Sequence, residues 1–264
     1  MMKNISLGQY FPGDTVVHRL DPRTKLVVAL VFMIALFAAD GLWSFMAAGA
    51  YLIAVIFLSK VNLRFLFRGL KPVLLLLLLT ALLNIFLTPG EPLVQIWRLS
   101  ITREGIVWTV FLFSRISMLV MSTSILTYTT APMALTDGVE KLLAPLKKIR
   151  VPVHEMAMIM SMALRFIPTL LEETQKLMNA QRARGANFDT GNVFKRAKAM
   201  LPILIPLFIS SFRRADELAV AMESRCYFGG VGRTRMRQLA FTKIDIAAGI
   251  IASALLAGVI YLRI

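Results

Sequence analysis

Between Leu26 and Ser59 the chain carries a single charged residue, Asp40. One helix over that run would overshoot a hydrocarbon core of about 30 Å at ~1.5 Å per residue, so the run predicts two short membrane spans turning at Ala39-Asp40-Gly41. Each arm is only just long enough, which bilayer thinning or packing against a partner accommodates. Three further apolar runs predict spans over 72–87, bounded by Lys71-Pro72, over about 105–127, interrupted by Arg115, and over 244–262.

Composition agrees with this reading: 57% of the 264 residues are hydrophobic and only 17% are charged, against roughly a quarter in soluble domains. The charges are also clustered. With the N-terminus inside, 26 of the 30 Lys and Arg residues fall on the cytoplasmic side, leaving Arg98, Arg103 and Arg263 outside and Arg115 within the membrane. The net charge of +15 therefore calls for no nucleic acid, since positive-inside bias facing acidic protein or anionic lipid accounts for it. The first 25 residues are polar and contain Gly and Pro, so no cleavable signal peptide is expected. A single cysteine, Cys226, leaves no internal disulfide and no multi-cysteine metal site.

The organisation expected is an all-α integral membrane protein with about five transmembrane helices and long amphipathic cytoplasmic helices. It comprises an N-terminal cytoplasmic segment (1–23), four transmembrane helices (24–127), a cytoplasmic segment (128–242) and a final transmembrane helix (243–264). In the cytoplasmic segment, Thr136 or Asp137 is expected to cap a helix with a stripe of Val139, Leu142, Leu143 and Leu146. A second helix repeats apolar residues at a period near 3.6 from Met156 to Met178, with a kink at Pro168 and a stop at Gly185 in the C′ position. A third starts near Asn192 and stops before Gly229-Gly230. The latter two are read as helices at the inner membrane surface, because Glu155 and Arg165 in one, and two prolines in the other, suit a span poorly. The five carboxylates between 137 and 173 read as solvated helix faces.

Two short stretches stand out. "AQRARGANFD" places Arg184 between Ala183 and Gly185, and "AMESRCYFGG" places Arg225 between Ser224 and Cys226, forty-one residues later (225 − 184 = 41). At that offset Leu177 meets Leu218 and Ala180 meets Ala221. One reading is an ordinary helix terminus, with arginine at the negative end of the helix dipole and glycine as the stop. The other is a docking tip: small neighbours let the helix end enter a groove, where a guanidinium can hold a carboxylate bidentately.

The chain resembles the transmembrane T component of energy-coupling factor (ECF) transporters, ATP-driven importers of vitamins and metal ions that include cobalt-uptake relatives. The resemblance covers nearly the whole length and rests on "GQYFPGDTVVHRLDPRTKL", on "ALRFIPTLLEETQKLMNAQRARG" and on the recurrence near "ESRCY". It implies two cytoplasmic ABC-type ATPase subunits, each receiving one coupling helix, through Ala183-Arg184-Gly185 and Ser224-Arg225-Cys226. The second departs from the family's alanine-arginine-small signature, with Ser in place of Ala and Cys in place of Gly. The resemblance also implies a separate membrane-embedded S component that binds the substrate, so that this chain transmits force without binding it; no cofactor is expected. The N-terminal signature supplies Gly8, Tyr10, Pro12, His18, Asp21, Pro22, Arg23 and Lys25. By their own chemistry Asp21-Pro22 form an N-cap and N1 pair for the first span, Arg23 and Lys25 anchor its cytoplasmic end, and His18 is structural.

An enzyme is not expected. No G-x-x-x-x-G-K-[ST] loop is present, and His154-Glu155 opens an H-E-x-x-H pattern that Met158 breaks. The rival is a secondary transporter or channel subunit built around Arg115, since an intramembrane charge is a functional candidate by default. Against it, the spans offer Arg115 no acidic partner and show no inverted repeat. Its structural alternative is a hydrogen bond from Ser114, Ser117 or Asn84.

Overall fold

The computed structural model describes residues 10–96, 99–188, 192–229 and 239–262. They divide into two compact units, one from within 8–142 and 238–264, the other from within 143–237.

The first unit opens with a short helix, α1 (Val16–Arg19), capped by Thr15. Helix α2 (Pro22–Ala38) follows, with Asp21 accepting from the Arg23 amide and Pro22 at N1, as the Asp-Pro pair predicts. After the turn at Ala39–Gly41 come α3 (Leu42–Ser59) and α4 (Leu63–Leu87). Pro72 does not open α4, as the sequence suggests. The helix begins nine residues earlier (72 − 63), where Asn62 caps it through the Arg64 amide, and Pro72 is carried in its interior. The connection to the next span is not a plain loop: Pro92–Ile96 (β1) and Leu99–Thr102 (β2) pair antiparallel, with Val94 opposite Ile101 and Ile96 opposite Leu99. The unit continues with α5 (Arg103–Thr129), α6 (Pro132–Leu143) and α9 (Lys243–Tyr261).

Four described helices, α3, α4, α5 and α9, are long and apolar enough to cross a membrane. Helix α2, with 17 residues, is the fifth apolar helix and packs against α9, α5 and α3. Phe32, Ala35 and Leu36 of α2 are almost completely buried. Phe32 and Leu36 cluster with Ala48, Leu52, Leu66, Ile125 and Tyr128, while Ala35 and Ala39 let Val259 and Phe45 approach closely. Small residues at such contacts are what hold helices together where no hydrophobic drive from water exists.

Helix α6 starts at Pro132, four residues before Thr136 (136 − 132), and the Thr136 hydroxyl donates to the Pro132 carbonyl instead of capping. The second unit begins where Pro145 ends α-helical pairing and a 3₁₀ turn takes over from Ala144 to Ile149, closed by Arg150 in the left-handed region. Two long helices follow, α7 (Val153–Ala183) and α8 (Val193–Ser224). Helix α7 runs through Pro168, and α8 through Pro202 and Pro206. Neither is among the helices apolar enough to span, and both leave large hydrophobic side chains exposed, among them Met156, Ile159, Phe208 and Phe212. The carboxylates expected to be solvated are not all so: Glu140 is buried, and Glu173 is bonded to α8.

Candidate functional site: two matched helix ends

Helix α7 stops because Gly185 adopts φ +86, a left-handed conformation that closes the last turn. The Ala186 amide donates to the Gln181 carbonyl (3.0 Å) and the Gly185 amide to the Arg182 carbonyl (2.9 Å), the paired bonds of a Schellman motif. Helix α8 ends the same way forty-one residues later. There the Tyr227 amide donates to Met222 (3.0 Å) and the Cys226 amide to Glu223 (2.9 Å).

The sequence places the end of the second helix before Gly229-Gly230, and α8 ends at Ser224. Cys226 is the left-handed residue that follows, at φ 55, a conformation that costs a side-chain-bearing residue about 1–2 kcal/mol. The Schellman bonds hold it there, and Gly230 lies outside the described residues.

Each end presents its central arginine to solvent: Ala183, Arg184 and Gly185 are exposed, as are Ser224, Arg225 and Cys226. Their surroundings differ in charge. Position 182 is an arginine, whose guanidinium lies 5.9 Å from the Phe188 ring, whereas the equivalent position 223 (182 + 41) is a glutamate. The α7 tip is thus doubly cationic and the α8 tip locally neutral. The Ser224 hydroxyl donates to the Val220 carbonyl of its own helix at 2.7 Å.

Glu173 ties the two helices together, accepting from Ser210 Oγ (2.6 Å) and from the Arg214 guanidinium. Nothing in local spacing announces that contact.

The N-terminal signature gathers at the start of α2. Gly8 lies outside the described residues. Pro12 is exposed, and the Tyr10 ring sits 6.4 Å from the His18 ring. His18 Nε2 donates to the Phe11 carbonyl (3.1 Å), a group that only accepts, and Nδ1 is hydrogen-bonded to the Thr15 hydroxyl (2.6 Å). Both nitrogens are engaged, and His18 staples the segment before α1.

Arg23 and Lys25, at the start of α2, are both engaged by the protein itself. Arg23 is held by Asp21 and by the Leu239 carbonyl, and buried Lys25 donates to the carbonyls of His18 (3.1 Å) and Thr129 (2.8 Å). Beneath them α1, α2, α3, α5 and α9 line an open cavity of about 340 Å³, apolar apart from Lys25, Tyr51, Ser122 and Thr129. A selective polar-ligand site needs convergent free polar groups, and the Lys25 ammonium is already committed to two carbonyls.

Arg115 does not find Ser114, Ser117 or Asn84. Its guanidinium donates to the Ala39 carbonyl, lies 3.7 Å from the Asp40 carboxylate and faces the Phe45 ring at 5.2 Å. The acidic partner that the spans were expected to lack is therefore the turn residue Asp40. It is the one charge in the first apolar run.

The sequence profile of the cobalt transport protein family, CbiQ, matches residues 13–236. The chain is 50% identical to the energy-coupling factor transporter transmembrane protein EcfT of Thermosediminibacter oceani, over 99% of each chain. It is equally identical to that of Acidaminococcus fermentans, over 100% of this chain and 98% of the other. With the EcfT of Bacillus subtilis it shares 46% identity over the full length of both.

Proposed function

The chain belongs to the CbiQ cobalt transport protein family, as the transmembrane component of an energy-coupling factor transporter, and from that membership we propose that its two matched helix ends dock into two cytoplasmic ATPase subunits. It is a multi-pass membrane protein. In this reading it hydrolyses nothing itself: ATP is turned over in the partners, and the movement passes through α7 and α8 to a membrane-embedded S component that carries the substrate. The N-terminus and the two tips face the cytoplasm, in keeping with the basic bias of those segments. A secondary transporter or channel built around Arg115 is not favoured, and the contacts of that residue are those of a structural clamp.

The observation that carries the proposal is the recurrence of one terminus: the same Schellman bonds, the same exposed arginine and the same forty-one-residue offset on two helices joined through Glu173. A single such end is ordinary helix chemistry. Two alike, both exposed, suit a pair of like partners. The test is co-purification of the partner ATPases with wild type and with Arg184→Glu, Arg225→Glu and the double variant. Retention of both ATPases by the double variant overturns the docking reading.

A further inference from the structure

Four helices of the first unit line its 340 Å³ cavity over matching stretches: Lys25 to Phe32 of α2, Tyr51 to Leu58 of α3, Ser122 to Thr129 of α5 and Ile244 to Ile251 of α9. Each stretch is seven positions from end to end (32 − 25 = 58 − 51 = 129 − 122 = 251 − 244 = 7), so at ~1.5 Å per residue the cavity is a slot running about 10 Å along the bundle. Beyond its inner end α3 and α9 meet, where the Ser44 hydroxyl donates to the Val259 carbonyl (3.5 Å) and Val259 packs with Phe45. Toward their other ends the slot lies between them, and Val16, Leu58, Ile244 and Ile251, which line it, are exposed hydrophobic side chains at its mouth. Both helices are apolar enough to cross a membrane, so that mouth meets lipid.

The interior offers a polar ligand little. Lys25 is held by two carbonyls, and the Thr129 hydroxyl donates to the Ile125 carbonyl (2.8 Å). Hydrocarbon is another matter: a dry apolar void of ~150 Å³ already holds benzene, and this slot has more than twice that volume.

The rim is charged. Arg19, Lys60 and Lys243 stand at the ends of α1, α3 and α9, within two positions of the lining residues Leu20, Leu58 and Ile244. All three are exposed, and none of their side chains has an ion pair among the described residues. Asp245 is taken by the Asp21 amide (2.7 Å) and Thr242, and Asp21 by Arg23. Exposed Asp14, beside α1, offsets one of the three cations. An apolar slot beneath a cationic rim is complementary to a molecule with a hydrocarbon chain and an anionic head.

We propose that this slot binds an anionic phospholipid, one acyl chain entering between α3 and α9 and the phosphate held at the rim by Arg19, Lys60 and Lys243. Basic pockets between membrane helices recognise lipid head groups in this way, and the aliphatic stems of lysine and arginine lie along apolar surface while their charges reach the interface. The site needs only that α3 and α9 cross the membrane, and is independent of what docks at the ends of α7 and α8.

Native mass spectrometry of the full-length chain in mild nonionic detergent tests this, with phosphatidylglycerol and phosphatidylcholine of the same acyl chains titrated separately. Phosphatidylglycerol is expected to bind about tenfold more tightly. Arg19→Gln, Lys60→Gln and Lys243→Gln together should bring it down to the level of phosphatidylcholine. The same change at Arg64, Arg68 and Lys71, exposed cations on α4 that do not border the slot, should leave it unchanged. Ala248→Phe inside the slot and Ala54→Trp at its exposed mouth should each lose both lipids; should the first fail to fold, the second is read alone. Glycerol 3-phosphate, a head without a chain, should displace nothing. Equal binding of the two lipids, full binding by the rim variant or by Ala54→Trp, an equal loss in the α4 variant, or displacement by glycerol 3-phosphate overturns the proposal. So does a complete transporter that excludes phosphatidylglycerol when the chain alone retains it, which gives the slot to a partner's helix.

Discussion

Glu173 and Arg214 form an ion pair between α7 and α8, and each stands eleven residues before the arginine that ends its helix (184 − 173 = 225 − 214 = 11). At ~1.5 Å per residue both tips lie about 16 Å along their helices from the shared contact. The two helices therefore meet at equivalent positions and present equal arms. Both side chains are less than a third exposed, so Glu173→Ala should destabilise the unit by about 1–2 kcal/mol. The charge-reversed pair Glu173→Arg with Arg214→Glu should recover most of that. Thermal unfolding of the purified chain in detergent checks both, and a double variant no better than the single would show that the pair does not hold the arms.

The two tips should not be equally sensitive. Arg184 has a cationic neighbour at position 182, where the equivalent neighbour of Arg225 is Glu223, so the first tip offers an acidic groove more charge. A charge-assisted pair lost from a partly desolvated contact costs about 2–5 kcal/mol. ATPase co-purification is expected to fall further with Arg184→Glu than with Arg225→Glu, and to vanish in the double variant. Arg→Lys at either site should restore it only in part, because a point charge cannot reproduce the fork. Lys195→Glu and Lys198→Glu, both exposed on α8, serve as controls. Equal loss in the controls would reduce the effect to bulk charge.

Cys226 occupies a glycine's conformation. Cys226→Gly relieves the left-handed strain but loosens the unfolded chain, so the net gain should be about 1 kcal/mol or less, whereas Gly185→Ala at φ +86 should cost at least as much. Amide exchange at residues 222–227 should slow in the first variant, and at 181–186 should quicken in the second. An unchanged rate at Tyr227 in Cys226→Gly would remove the strain argument.

Arg115 joins α5 to the turn between α2 and α3. Arg115→Ala strands the Ala39 carbonyl and should cost about 1–3 kcal/mol, while Asp40→Asn should cost less. The Asp40 carboxylate is half exposed and 3.7 Å away, and the carbonyl contact survives without it. Thermal midpoints of the two variants should fall in that order.

Membrane sidedness is tested by single cysteines at Glu91, before the β-hairpin, and at Lys195, in α8, in a Cys226→Gly background. An impermeant thiol reagent applied to intact cells should label position 91 and spare 195. Label at both would invert or break the proposed topology.

Sequence alone determined where the apolar helices run, because lipid cannot satisfy backbone polar groups and any long uncharged segment must pair its own. Asp21 as a cap and Gly185 as a stop were equally legible, since each acts within one helical turn. The capping box of α9 is legible too, in Thr242 and Asp245 three residues apart. What tertiary structure decided are the pairings between distant positions: Asp21 with Asp245 across 224 residues, Arg115 with Ala39 across 76, and Glu173 with Arg214. Local spacing carries no record of such contacts. A buried charge takes whichever partner the packing of apolar faces brings within reach, and here that packing gives Arg23 the Leu239 carbonyl and Lys25 the carbonyls of His18 and Thr129. It also left Cys226 to make a turn for which sequence rules would have chosen glycine.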